Sequence, residues 1–470
     1  MAYQIALDIA NRAVQHLIGV QRIYDLYNDT TPAAREIAFA YDKVRDAELR
    51  RNVWRFAIRR AVLRPIDTST VIWSPAAWAA TTTYAAGAVV NYTPAGLNVS
   101  ELGANPVPYL WMAQQSVAGS ASNAAPDLST SWSRYFGPVT CDPFVTEDVD
   151  PPAAPTTGTS VAGALAARTY YVKVTYITTS GETLASAETI QAVAANSVLT
   201  VTSPIAATGA TKYHVYIGLT ADEETLQTGT GAITLGNTWT EPTSGMVLGR
   251  RPPLGAATST AGFFAGEITM LDATVYSSLV SSNSDVPPSG KWTAQGGTVA
   301  PLDILYPIDA GPADMNTGSF GATTGSGFSS GPGTAATRSV YRLPHGFLRK
   351  APTDPMAGHS YWLGVPAGIP PEDWTFEGEY VTTRQGAPLL IRFVANMVDV
   401  DKFDQMFAEA LAAKIAMEVA PSVCEQANIA ASVNNATAHY RTEMAAARAA
   451  NSILIGSDDA RIDSYILARM

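Results

Sequence analysis

Cysteine is nearly absent: the 470 residues hold two, Cys141 and Cys424, far apart and in stretches of different composition. That argues against a disulfide framework and a cysteine metal site, and a reduced compartment is expected. Charge is sparse as well, at 15% of residues, and the balance is acidic, −11 overall. A general nucleic-acid binder held by phosphate contacts carries a basic surplus, so that class is not expected. No run of about 18 apolar residues occurs, so no membrane span is expected. Asp8, Asn11, Arg12, Gln15 and His16 interrupt any leader-like apolar segment, and synthesis in a cytoplasm follows as the expectation. Catalytic signatures are missing too: there is no GxSxG, no HExxH and no phosphate loop. His16, His214, His345, His359 and His439 share no metal-ligand spacing, and Glu377 and Glu379 fall on a strand and turn that explain them better than acid catalysis does. The expectation is a non-enzyme with no catalytic residue, cofactor or metal.

What is present is 47% hydrophobic residues over a length sufficient for about two to four domains. The organising stretch is Phe376–Val423. Leu389, Ile391 and Phe393 alternate with Leu390, Arg392 and Val394, the period of a strand, and Asp399 or Asp401 is placed to cap a following helix. There Phe403, Phe407, Leu411 and Ile415 recur every fourth position, flanked by Ala408, Ala410, Ala412, Ala413 and Ala416, until Pro421 is expected to end it. Ser422–Ala450 reads as one more helix, with Ile429, Val433 and Tyr440 on one side, and the tail carries apolar Tyr465, Ile466 and Leu467. Such a tail either inserts into a partner groove or packs on its own domain.

At the other end, residues 1–66 read as two helices. Ile5, Ile9, Ala13 and Leu17 share a face before Gly19, and Thr31-Pro32 caps a second helix that nothing interrupts until Pro65, about 30 residues on. Ile37, Tyr41 and Val44 begin its apolar face, and Trp54, Ile58 and Val62 continue it. Arg51, Arg55 and Arg59 then stack at a spacing of four: a basic stripe toward an acidic partner or DNA, or a solvated side partly neutralised by Asp42, Asp46 and Glu48.

The middle changes character. Residues 67–140 are rich in Trp, Tyr, Pro, Gly and Thr, with short β-runs between turns. Tyr84, Gly87, Val90, Trp111, Pro126, Trp132 and Tyr135 follow a pattern that resembles the carbohydrate-binding fold of chitin-binding modules. In that resemblance Trp111, Trp132 and Tyr135 are candidate glycan-stacking aromatics, or simply core of a small module. Residues 151–250 follow a Pro/Ala/Thr linker; Tyr170, Val172, Val174 and Tyr176 share a strand face, and further strands at Leu199–Val201 and Tyr213–Ile217 indicate an immunoglobulin-like or fibronectin-like sandwich. Residues 260–300 repeat the first module in compressed form, with Gly266, Tyr276, Pro288 and Trp292 in the places of Gly87, Trp111, Pro126 and Trp132. Gly318–Thr337 is a Gly/Ser/Thr tract expected to be a loop or linker.

The two chain ends carry AVQHLIGVQRIYDL, LRRNVWRFAIRRAVL, YRLPHGFLRKA, WTFEGEYVTT and LLIRFVANMVDVDKFDQMFAEALAAKIAMEVAPS, in that order. Together these resemble the head-to-tail adaptor of short-tailed bacteriophages, the tail tubular protein A family. The resemblance covers the first 66 residues and the last 130; compact family members pass almost directly from the counterpart of Arg64-Pro65 to that of Tyr341. It implies an α+β multidomain chain with a discontinuous helical-bundle adaptor domain from 1–66 plus 338–470. The inserted all-β parts would be a small chitin-binding-like module at 67–140, an immunoglobulin-like sandwich at 151–250, and a second small module with the Gly/Ser-rich loop at 251–337. It further implies a virion protein of the tail neck: a homo-oligomeric ring of twelve copies between the portal protein and the tail nozzle (a tail tubular protein B-like partner), with tail fibres as candidate neighbours. Genomic DNA would pass through the lumen without sequence-specific binding. On that reading Arg51, Arg55, Arg59, Tyr465, Ile466 and Leu467 are the candidate portal or ring interface. The alternative is a carbohydrate-binding multi-module surface protein, or an adaptor that also binds host glycans.

Overall fold

A computed structural model of the chain describes residues 6–26, 29–93, 109–229, 231–253, 262–302, 327–329, 337–351, 374–383 and 388–455. Among the described residues the architecture is α+β, with four α-helices and many small antiparallel sheets. No helix among them is long and apolar enough to cross a membrane.

Helix α1 (Ala6–Gln15) buries Ile9, Ala10, Ala13 and Val14, and Asn11 on the same side exchanges two 3.0 Å hydrogen bonds with the backbone of Ile23, fixing the returning loop. Helix α2 (Pro32–Arg51) begins as its residues dictate: the Thr31 hydroxyl accepts from Ala34 N at 3.3 Å, and Pro32 needs no amide partner. It ends earlier than the sequence suggests. Asn52 turns extended, Arg55–Ala57 forms one 3₁₀ turn, and Ile58–Leu63 becomes a strand paired with Leu389–Ala395. Nothing local stops the helix, since neither Gly nor Pro lies between Arg51 and Leu63. Tertiary pairing does: Ala61 and Leu63 are buried in the terminal core, and Phe56 packs its ring against Phe403 and Phe407.

Helix α3 (Gln405–Val423) is the centre of the terminal core. Phe407, Leu411 and Ile415 are wholly buried with Ala408, Ala410, Ala412, Ala413 and Ala416, and the helix packs on α1, α2 and α4 (Ile429–Ile455). The cap is neither Asp399 nor Asp401 but Asp404, whose Oδ1 accepts from Met406 N at 2.9 Å and Phe407 N at 3.4 Å. Pro421 lies inside the last turn, and the helix runs on to Val423. One continuous apolar core joins Ile9–Leu63 to Tyr341–Ala447; among the described residues, Phe136 alone of its buried members comes from the long stretch between. That stretch also leaves and returns at one place, for Ile66 N donates to Val340 O at 2.8 Å.

In the middle, two three-stranded sheets repeat one design: Val89–Tyr92, Tyr109–Ala113 and Trp132–Arg134, then Ile268–Leu271, Thr274–Ser278 and Trp292–Gln295. Gly87 N donates to Ala113 O and Gly266 N to Ser278 O, each at 2.8 Å and each glycine at positive φ. Tyr84 exchanges backbone bonds with Val117 as Phe263 does with Asn283, and the Trp132 ring meets Tyr84 edge-on at 5.2 Å as Trp292 meets Phe263 at 5.0 Å. The two sheets share a core of Val89, Leu110, Tyr135, Ile268, Met270 and Val275 with Val71 and Trp73. Gly87 is favoured there by its φ of +80°, which a residue with a Cβ adopts only under strain.

Between the repeats in sequence, Thr189–Val193, Arg168–Thr178, Ala210–Gly218 and Thr225–Leu226 form one sheet and Trp239–Thr240, Ser197–Val201 and Thr157–Val161 another. They face each other across Tyr170, Val172, Val174, Tyr176, Leu199, Val201, Tyr213, Val215, Ile217 and Trp239, a two-sheet sandwich. Gly297–Pro301, Val71–Pro75 and Thr140–Cys141 form a further small sheet. Part of the Gly/Ser/Thr tract is strand rather than loop, since Gly327–Ser329 pairs with Thr337–Ser339; the rest of it lies outside the described residues.

Candidate functional site

Arg51, Arg55 and Arg59 do not form a stripe, because only Arg51 belongs to α2. Arg51 ion-pairs with Glu48 at 3.2 Å and donates to Tyr440 Oη at 2.9 Å, while Tyr440 donates to Glu48 Oε1 at 3.0 Å. This triad ties α2 to α4. Arg55 N donates to Asn451 Oδ1 at 2.9 Å, adding a second tie to α4. Arg59 is turned inward: its Nη1 donates to Phe56 O and Ile58 O at 2.8 and 2.7 Å, and its guanidinium lies 5.3 Å from the Phe136 ring centre. Burial holds its pKa below the ordinary arginine value. Of the three, only Arg51 and Arg55 remain on an exposed surface. Tyr465, Ile466 and Leu467 lie outside the described residues.

The aromatics picked out for stacking are packed instead. Trp111, Trp132 and Tyr135 are all buried; Trp111 Nε1 donates to Tyr92 O at 3.1 Å, and Tyr135 Oη donates to Pro138 O at 2.8 Å. The polar atoms of Trp111 and Tyr135 are thus satisfied inside, and with Trp132 only 6% exposed all three rings serve as core among the described residues. His16 and His439, unremarkable in sequence, meet with ring centres 4.7 Å apart where the turn after α1 approaches α4; burial and then His439 keep the His16 pKa below its ordinary value.

Sequence reasoning missed the buried polar joints. Arg250 Nη2 reaches Glu182 Oε2 at 2.6 Å, and Glu182 Oε1 also accepts from Thr175 Oγ1 at 2.8 Å and Tyr216 Oη at 2.6 Å. Burial opposes ionisation of Glu182, but Arg250 and these hydroxyls outweigh it and hold its carboxyl below the usual range. His214 Nδ1 lies 2.5 Å from Thr228 Oγ1 and its Nε2 3.7 Å from Asp272; burial pushes its pKa down to about 4. Asp272 in turn accepts from Lys212 Nζ at 2.9 Å and Ala232 N at 2.6 Å, fastening the sandwich to the second small sheet. A second joint gathers Asp142, Asp67, Thr70 and Arg64. Thr70 Oγ1 donates to Asp142, and burial, then Asp67, push the Asp142 carboxyl up to about 7.

One cluster is more open. Lys173 Nζ lies 2.7 Å from Asp222 Oδ1, 3.2 Å from Glu224 Oε2 and 3.9 Å from Glu188 Oε2, so the Asp222–Glu224 segment and the distant Glu188 bring three carboxylates together at one sandwich edge. Comparison with known proteins finds no family model, no curated protein and no solved structure that matches the chain.

Proposed function

We propose that the chain is a structural head-to-tail adaptor of a short-tailed phage virion, a subunit of a ring of about twelve copies between portal and tail nozzle. The observation that carries this reading is that both chain ends contribute helices and strands to one apolar core while the middle departs and returns at Ile66 and Val340. That is the arrangement expected of a compact adaptor into which β-modules have been inserted, here two small chitin-binding-like sheets and an immunoglobulin-like sandwich. The five family-like segments at the chain ends support the same reading, and the net charge of −11 suits a conduit that repels DNA phosphates rather than holding them. In this role the exposed Arg51 and Arg55 and the tail with Tyr465, Ile466 and Leu467 face the portal or a neighbouring subunit. Glycan binding through Trp111, Trp132 and Tyr135 is not favoured, because those rings are buried. Mass photometry of the protein mixed with its portal tests the proposal. Ring-sized complexes on the portal are expected; a protein that stays monomeric and apart from the portal overturns it.

A further inference from the structure

We propose that the carboxylates of Glu188, Asp222 and Glu224 bind a hard divalent cation, calcium by their chemistry, at the edge of the sandwich. Strand register brings them together. Thr189 pairs with Val172, which sets Glu188 beside Lys173, and Tyr216 pairs with both Lys173 and Leu226, which brings Glu224 from the other side. One oxygen from each carboxylate lies within 4.8 Å of the others, the span a single cation can bridge. Lys173 is the only cation within ion-pair distance of Glu188 and Glu224 among the described residues, so the cluster keeps a negative surplus.

A second observation points the same way. Glu224 is buried, 1% exposed; its Oε2 faces Lys173, and its Oε1 has no hydrogen-bond partner among the described residues. An unpaired carboxylate oxygen out of water is costly, and a neighbouring carboxylate adds repulsion. A proton relieves this in part, while a divalent cation relieves it for all three groups at once. Asp222, whose side chain is 84% exposed, leaves the site open to an entering ion and to its water ligands. The donor set is oxygen only, which suits calcium and not zinc or copper. Lys173 competes for the same oxygens, so the affinity falls in the weak class, about 10⁻⁴–10⁻³ M. This inference stands independently of the adaptor reading.

The test is calorimetric titration of the full chain with calcium chloride, run in parallel on Glu224→Gln, Asp222→Asn and Lys173→Met, with thermal melts to establish that each is folded. One calcium per chain is expected. Glu224→Gln and Asp222→Asn should each weaken binding roughly tenfold or more, and Lys173→Met should tighten it by removing the competing ammonium. Should Glu224→Gln fail to fold, the exposed Asp222→Asn decides. The proposal is overturned if neither wild type nor Lys173→Met takes up calcium at about 10 mM, well above the expected constant. It is also overturned if binding is unchanged in the carboxylate variants, which would place the ion elsewhere.

Discussion

Arg250 and Glu182 meet at 2.6 Å with both side chains almost wholly out of water, so each makes the burial of the other tolerable. Replacing one alone leaves an uncompensated charge. Arg250→Met should therefore lower unfolding stability by about 3–5 kcal/mol in urea titrations, whereas changing both partners to apolar residues should recover much of that loss. The pH dependence separates two other buried groups. The Asp142 carboxyl, raised to about 7, binds its proton more tightly in the fold than in the unfolded chain, so its contribution is full below the ordinary carboxylate value and is lost as pH rises through 7. His214, lowered to about 4, acts in the opposite sense: it stays neutral in the fold, and its contribution is lost as pH falls from the ordinary histidine value toward 4. Asp142→Asn mimics the protonated form and can still accept from Thr70. Its urea midpoint should gain on wild type between about pH 5 and about pH 8, and a constant difference across that range would contradict the assignment.

At the scale of elements, α3 rests on a cap that is one turn away from the expected one. Asp404→Ala should cost about 1 kcal/mol of stability, while Asp401→Ala, which removes only an exposed pair with Lys402, should be close to neutral; equal effects in denaturant titrations would count against the cap. The body of that helix was legible because a four-residue recurrence of Phe407, Leu411 and Ile415 amid alanines suits little else, and Leu389–Ala395 was legible from its alternation. The strands through Tyr170–Tyr176 and Tyr213–Ile217 could be read for the same reason. Residues 52–63 could not. IRRAVL offers a helix and a strand comparable local preference, and the choice is made by Leu389–Leu390 and their neighbours more than three hundred positions away. Separation in sequence hid the sites too: Glu188 lies 34 positions from Asp222 and Glu182 lies 68 from Arg250, and only the folded sandwich makes neighbours of them. Trp111, Trp132 and Tyr135 posed another difficulty, since a stacking platform and a small aromatic core have the same composition.

For the whole molecule, the proposed adaptor reading makes the β-rich middle an excursion from a body that both chain ends complete. The geometry favours that account, because Ile66 and Val340 are hydrogen-bonded neighbours and, among the described residues, the terminal core draws only Phe136 from those between. Phe136 packs under the Arg59 guanidinium and beside Gly346, so its loss would cost about 3–5 kcal/mol without dividing the core. The decisive measurement is equilibrium unfolding, followed by circular dichroism, of a chain in which residues 67–339 are replaced by a short Gly/Ser linker. The account predicts a helical spectrum and one cooperative transition. A chain that shows no transition and little helix would mean that the two ends do not form a body of their own, and the adaptor proposal would lose its footing.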